Sequence, residues 1–319
     1  MAKLGHSDPH NYFEQAIGDG TIKPSTPRMS MIPSKKYENP VKNKIFQIDP
    51  EYFHIYRNTK LKAREERLSK YYQRTESDNE RVIEFIVDKL VEEYPDLFEY
   101  WYYEDNVWLP HHLRCHLTGD NLMFDQNWKL TAHKVYIDSF DALAMQVPED
   151  LVIHYSNSDR DYAGYIHLCH ANGWNAEWAI DKDFQWVHKE VENIDKMIPR
   201  PKALVDGIIK SGRTTERVGA ISFRTNTELN RHPDDEPEDA NKFNAENPEL
   251  YMRVERQTIN PFPDEGCFLF TIKTYFVNCD HPEADKRDKI IKAFEKDTTK
   301  VYSHWFFDKY KDQVLEWLK

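Results

Sequence analysis

The residues of this 319-residue chain best suited to chemistry are gathered in Met252-Arg-Val-Glu-Arg-Gln-Thr-Ile259. After a short Pro/Gly loop comes Cys267-Phe-Leu-Phe-Thr-Ile-Lys-Thr-Tyr-Phe276, a strongly β-favouring run, and the pair reads as a hairpin. With period 2, Met252, Val254, Arg256 and Thr258 point one way, and Arg253, Glu255, Gln257 and Ile259 the other. A half-buried strand keeps its charges on one face; this one carries charge on both. Buried charge is costly unless it is paired or used. The hairpin is therefore either a salt-bridged staple or the wall of a polar site. Arg256 is the first choice for a pocket, because its same-face neighbours are Val254 and Thr258 and its charge needs a partner. Lys273 and Tyr275 lie across the hairpin as further contributors.

Among the 14 histidines, His188 stands out in Phe184-Gln-Trp-Val-His-Lys-Glu190, surrounded by aromatic residues. A surface or capping histidine is the plainer alternative. His167 and His170 fall in a predicted strand, where a three-residue separation points them to opposite faces and prevents a shared metal. His111, His112, Cys115 and His116 are the densest group of metal-ligand types, and a helix would align His112 with His116. Leu113 stands where a zincin needs Glu, and no second ligand pair is near, so a zinc site is not favoured there. Glu149-Asp150 is the best carboxylate pair, but adjacent strand residues diverge, which suits a turn or strand end. No G-x-S-x-G nucleophile elbow is present. Gly18-Asp-Gly20 has Lys23 in place of the third glycine, and there is no Walker loop. If the chain is a redox enzyme, its electrons come from another polypeptide.

The elements that would position these residues follow from local pattern. Residues 1–45 read as an extended, partly docked arm, and 46–319 as one domain. Asp49-Pro50 opens a helix running to about Arg74, and Ser77-Asp-Asn-Glu80 is a capping box ahead of Val82, Ile83, Ile86 and Leu90 at helical spacing. Strands are predicted at 132–138, 147–154, 162–170, 218–225, 251–259 and 267–277, with helices near 178–195 and 200–212. Asn226–Asn247 is a polar loop, and helices follow from Pro282, with Val301, Trp305 and Phe306 on one stripe. This order gives an α+β fold. Aromatic residues are 13% of the chain, enough for a core and a ligand cavity. A net charge of −12 argues against nucleic acid as a partner. No run is long enough to span a bilayer, and Met1–Asp8 lacks the apolar segment of a signal peptide. Four separated cysteines read as free thiols, so a cytoplasmic location is expected.

The hairpin, Arg-Val-Glu-Arg-Gln-Thr and then Leu-Phe-Thr-Ile-Lys-Thr-Tyr, resembles the C-terminal signature of the haem-dependent oxidative N-demethylase family. Arg28-Met-Ser-Met-Ile-Pro33 with Ile48-Asp-Pro-Glu-Tyr52, Gln146-Val-Pro-Glu-Asp-Leu-Val152, and Cys169 to Gly173-Trp174 with Val187-His188 resemble its other segments in the same order. Two departures are Glu192, where the family has Pro, and Val218–Arg224, which lacks the family's Arg-x-Asn-Trp element. The resemblance implies a PAS-like sheet at about 130–280, wrapped by terminal helices at 282–319 and holding haem b. It implies His188 as axial ligand, with His170 and His167 in reserve. Trp174, Trp186 and Arg253 would line the cofactor, and Arg256, Gln257 and Glu255 would serve catalysis. The implied reaction is oxidative N-demethylation of a small secondary amine such as dimethylamine, with O2 and a separate flavin or iron–sulfur reductase protein. The alternative is a PAS-like haem or gas sensor without turnover.

Overall fold

A computed structural model describes residues 3–5, 12–18, 30–32, 39–131, 134–189, 198–235, 242–280, 283–296 and 307–319. The fold is α+β, built on two antiparallel sheets. Helix α1 (Phe13–Ile17) and strand β1 (Ser30–Met31) occupy the region expected to be an extended arm; Phe13 and Ile17 are buried. Helix α2 (Pro50–Tyr71) starts as expected, with the Asp49 side chain accepting from the Glu51 N–H. It stops three residues short of Arg74, because the chain turns extended at Tyr72 and joins the sheet as β2 (Tyr72–Arg74). Helix α3 (Glu80–Glu93) is capped by Asn79, whose Oδ1 accepts from the Val82 N–H, rather than by the predicted Ser77 box.

A four-stranded sheet follows, in the order β3 (Phe98–Tyr102), β4 (His111–Cys115), β5 (Asn121–Phe124), β6 (Leu130–Thr131). It places His111–Cys115 in a strand, so the alignment that a helix would give His112 and His116 does not arise. Tyr100 Oη meets His111 Nδ1 at 2.7 Å, His112 Nε2 meets the Leu109 carbonyl at 3.0 Å, and His116 pairs with Glu99 at 2.9 Å, so these ligand types disperse. Of the strand predicted at 132–138, residues 132–133 lie outside the described residues; Asp138 caps helix α4 (Ser139–Ala144).

The large sheet runs β1-β9-β10-β11-β7-β8-β2, with β7 (Asp150–Ser156), β8 (Asp161–His167), β9 (Thr215–Arg224), β10 (Tyr251–Phe262) and β11 (Cys267–Asn278). The helix predicted at 178–195 is two single turns, α5 (Ala176–Ala179) and α6 (Phe184–Val187), while 190–197 lie outside the described residues. Asp181, with φ of 62°, breaks the path between them. Helix α7 (Pro201–Ser211) ends at Gly212 in the left-handed region. Helices α8 (Ala284–Lys296) and α9 (Phe307–Leu318) follow; Val301, Trp305 and Phe306 lie outside the described residues.

Each face of the large sheet has its own cover. Met252, Val254, Tyr275 and Phe223 pack with Tyr12, Phe13, Ile290, Phe294 and Val314, so α1, α8 and α9 shield one face. Further along that face Leu151, Ile153 and Leu269 meet α3 and the small sheet. On the other face Tyr251 and Phe276 pack under Tyr52 and Tyr56 of α2, and Ile259 and Phe268 under Val205 and Ile209 of α7. No helix among the described residues is long and apolar enough to cross a membrane.

Candidate functional site

The α7 face of the large sheet keeps three apolar side chains partly accessible at its centre. Gln257 lies opposite Arg217 on β9 and Ile272 on β11, and Phe270 lies opposite Val152 on β7. Val152, Phe270 and Ile272 sit mid-strand at the middle of a seven-stranded sheet, yet all three are only partly buried. Interior strands normally bury such side chains on both faces when helices cover them. We read their accessibility as a cleft between α2 and α7. Trp174 and Val187 join Val152 in one partly buried patch on its wall, and Phe184 joins Phe270 in another.

His188 stands beside this wall as the C-cap of α6, a single turn started by Asp183, whose Oδ1 accepts from the Trp186 N–H at 2.6 Å. The imidazole Nδ1 lies 2.8 Å from the Phe184 carbonyl, which can only accept, so Nδ1 carries the proton. Nε2 therefore holds a lone pair, and no hydrogen bond reaches it among the described residues. The ring stacks on Phe184 at 4.1 Å between centroids and meets Trp174 edge-on at 5.7 Å. Burial pushes its pKa down to about 4, against the Phe184 carbonyl and with Arg217 and His154 adding repulsion. The ring is neutral at pH 7, oriented, and presents one free nitrogen, which is how a metal-ligating histidine is prepared. Trp186 is turned to other work: Lys189 Nζ sits 4.0 Å and Lys182 Nζ 5.6 Å from its ring centroid.

A polar chain runs along β10 on the same face. Arg217 Nε donates to Gln257 Oε1, and Gln257 Nε2 donates to Glu255 Oε2 at 2.8 Å. Glu255 Oε1 lies 3.8 Å from Arg253 Nη2. Burial lowers the pKa of Arg217, with the Glu255 charge opposing. Arg253 also clamps two loops, donating to the carbonyls of Leu229 at 2.9 Å and His170 at 2.7 Å and to Thr274 Oγ1 at 3.0 Å. Arg217 escapes notice in the sequence, since only the β9–β10 register sets it beside Gln257.

The remaining expected residues lie elsewhere. Arg256 is on the opposite face, with Nε 3.1 Å from Glu216 Oε2 and its Nη groups donating to the carbonyls of Ile45 at 3.0 Å and Lys44 at 2.7 Å. Lys273 and Tyr275 share that face and bond to Gln47. Strand β8 ends at His167, so strand alternation does not govern His170. Both rings are fully buried; His170 Nε2 lies 3.2 Å from the Tyr56 carbonyl and His167 Nε2 lies 3.3 Å from Asp141 Oδ1. Asp150 accepts the N–H groups of Cys169 and His170, each at 2.8 Å, and Glu149 accepts that of Gln47 at 2.7 Å. In the divergent segment, Arg224 donates to Asn172 Oδ1 at 2.7 Å.

Residues 37–315 match the sequence model of one family, described as haem-dependent oxidative N-demethylase, alpha subunit-like. No curated protein matches the chain.

Proposed function

Since the chain belongs to the haem-dependent oxidative N-demethylase alpha-subunit-like family, we propose that it binds haem b in the α7-face cleft and oxidatively demethylates a small secondary amine such as dimethylamine. The family is by name one of oxidoreductases and of alpha subunits, which agrees with a second protein supplying electrons. The observation that carries the reading is His188: a neutral imidazole, its Nδ1–H spent on Phe184, with no hydrogen bond on Nε2 among the described residues, beside an apolar, aromatic cleft.

The residues of the cleft fit the group. His188 Nε2 would hold the iron, Trp174, Phe184, Val152, Phe270 and Ile272 would contact the macrocycle, and Arg217 would be the cation for a propionate. Haem supplies oxygen activation when bound. The chain's own residues do the rest. Glu255 holds a charge close to the cleft floor, and Gln257 fixes its orientation through Nε2. That carboxylate would pair with the amine as its ammonium and hold it against the apolar wall, where water is scarce. The overall change takes a secondary amine, O2, two electrons and two protons to a primary amine, formaldehyde and water. The electron donor would be a separate flavin or iron–sulfur protein. The continuous antiparallel run β9-β10-β11-β7-β8, with terminal helices packed on it, supports a single domain with a PAS-like core.

The test is formaldehyde release from dimethylamine by haem-loaded protein with a surrogate reductant. Release above the haem-free control supports the reading. A haem-loaded protein that yields none would instead be the sensor.

A further inference from the structure

Behind the cleft, where β7 and β8 meet the turn that follows β8, lies a closed polar cluster that the reading above does not use. Ligand-type atoms of Asp150, His167 and Cys169 all lie within 4.8 Å of one another, and all three residues are buried. We propose that these three residues form a binding site for a thiophilic divalent cation of the zinc class, with His170 beside it as a fourth ligand through nitrogen.

Four observations support this, and none depends on haem. The Cys169 Sγ to His167 Nδ1 distance is 3.8 Å. Ordinary Zn–S and Zn–N bonds at a tetrahedral angle set their ligand atoms about 3.6 Å apart. His167 Nε2 faces the Asp141 carboxylate at 3.3 Å without completing a hydrogen bond, and Nδ1 is the ring nitrogen turned to Cys169. Asp141 is itself anchored by Arg64 and by the Ile137 N–H at 2.9 Å, so this carboxylate–histidine unit is held from behind. His170 repeats the arrangement. Its Nε2 lies 3.2 Å from the Tyr56 carbonyl, and its Nδ1, fully buried and without a hydrogen-bond partner among the described residues, lies 3.6 Å from Asp150 Oδ1.

The ligand set suits zinc: one thiolate, imidazole nitrogen and one carboxylate. Lys60 Nζ donates to the carbonyls of Ala144 and Glu149 nearby. The ion would be matched by the Asp150 carboxylate and by a thiolate at Cys169. Binding releases the Cys169 thiol proton to solvent. The ion would tie the turn after β8 to the start of β7, which the two Asp150–backbone hydrogen bonds already draw together.

The site is sealed, so the ion must enter during folding. The experiment expresses the full chain in minimal medium with Zn2+ or with Co2+, purifies it without adding haem, and reads metal content together with the thiolate-to-cobalt charge-transfer band. One zinc or cobalt per chain and a clear charge-transfer band are expected. Cys169→Ser should remove the band and lower metal content at least tenfold, whereas Cys279→Ser, at another buried thiol, should change neither. A folded wild-type chain holding no stoichiometric metal, or a cobalt band that survives in Cys169→Ser, would overturn the proposal. Both readouts are taken without haem, so failure here leaves the cleft reading untouched, and the reverse holds.

Discussion

Arg256 and Gln257 are neighbours in the chain and stand on opposite faces of one sheet. Gln257 belongs to the cleft through Arg217 and Glu255. Arg256 is sealed against Glu216 and the carbonyls of residues 44 and 45. Two adjacent polar residues thus carry different burdens, and mutation should separate them. Arg256→Ala leaves Glu216 buried and unpaired, and should cost about 3–5 kcal/mol. Arg256→Met, which keeps the packing, should cost no more than Ala. Gln257→Ala should cost about 1 kcal/mol. Denaturant melts give the three values, and equal losses for Arg256→Ala and Gln257→Ala would contradict the assignment.

Glu255 is the acid assigned to the amine. Glu255→Gln keeps the shape and removes the charge. It should raise KM for dimethylamine at least tenfold while leaving the haem spectrum in place. Loss of the spectrum together with the activity would mean that Glu255 supports the cofactor instead.

The pH dependence of stability has a marked source at Glu93. Its carboxylate accepts the N–H groups of Ile45 at 2.7 Å and Phe46 at 3.2 Å, and burial raises its pKa from 4.5 to about 7 despite them. Between those values the folded chain binds more protons at this group than the unfolded chain does. Stability from this source therefore falls as pH rises from about 4.5 to 7, and is level on either side. The drop should be at most ~3 kcal/mol. In Glu93→Gln that part of the slope should vanish from chemical melts taken across the window; an unchanged slope would remove Glu93 as its source.

Gly164 sits in β8 where a Cβ would come within 2.6 Å of the Tyr155 ring and 3.0 Å of Glu76 Cγ. The ring is stacked on Tyr162 and cannot move freely. Gly164→Ala should cost about 1–3 kcal/mol through overpacking. Gly207→Ala, in α7 and with nothing near its Cβ, should be neutral or slightly stabilising. Thermal melts of the pair test the contrast.

Alternation alone was enough to gather Arg253, Glu255 and Gln257 on one face, since strand period is strict. It also set Arg256 apart from them; the ion pair that Arg256 makes was not legible, because its partner Glu216 lies 40 residues away on another strand. Arg217 was invisible for the same reason: register between strands is not written in either strand. The small sheet was missed because strands of two to five residues, such as Leu130–Thr131, are too short to show a period. The expected long helix around His188 dissolved into single turns at Asp181, whose positive φ no local pattern announces. The sequence shows His188 among aromatic residues, whereas its tautomer follows only from the Phe184 carbonyl.

The central claim is that His188 Nε2 ligates haem iron, and the optical spectrum of the haem-supplied chain tests it most directly. The wild type should take up one haem per chain and show a Soret band. His188→Ala should lose or shift that band, and His188→Gly should regain it when imidazole is added. A wild type that stays colourless with haem supplied, or a His188→Ala spectrum identical to the wild type, would contradict it.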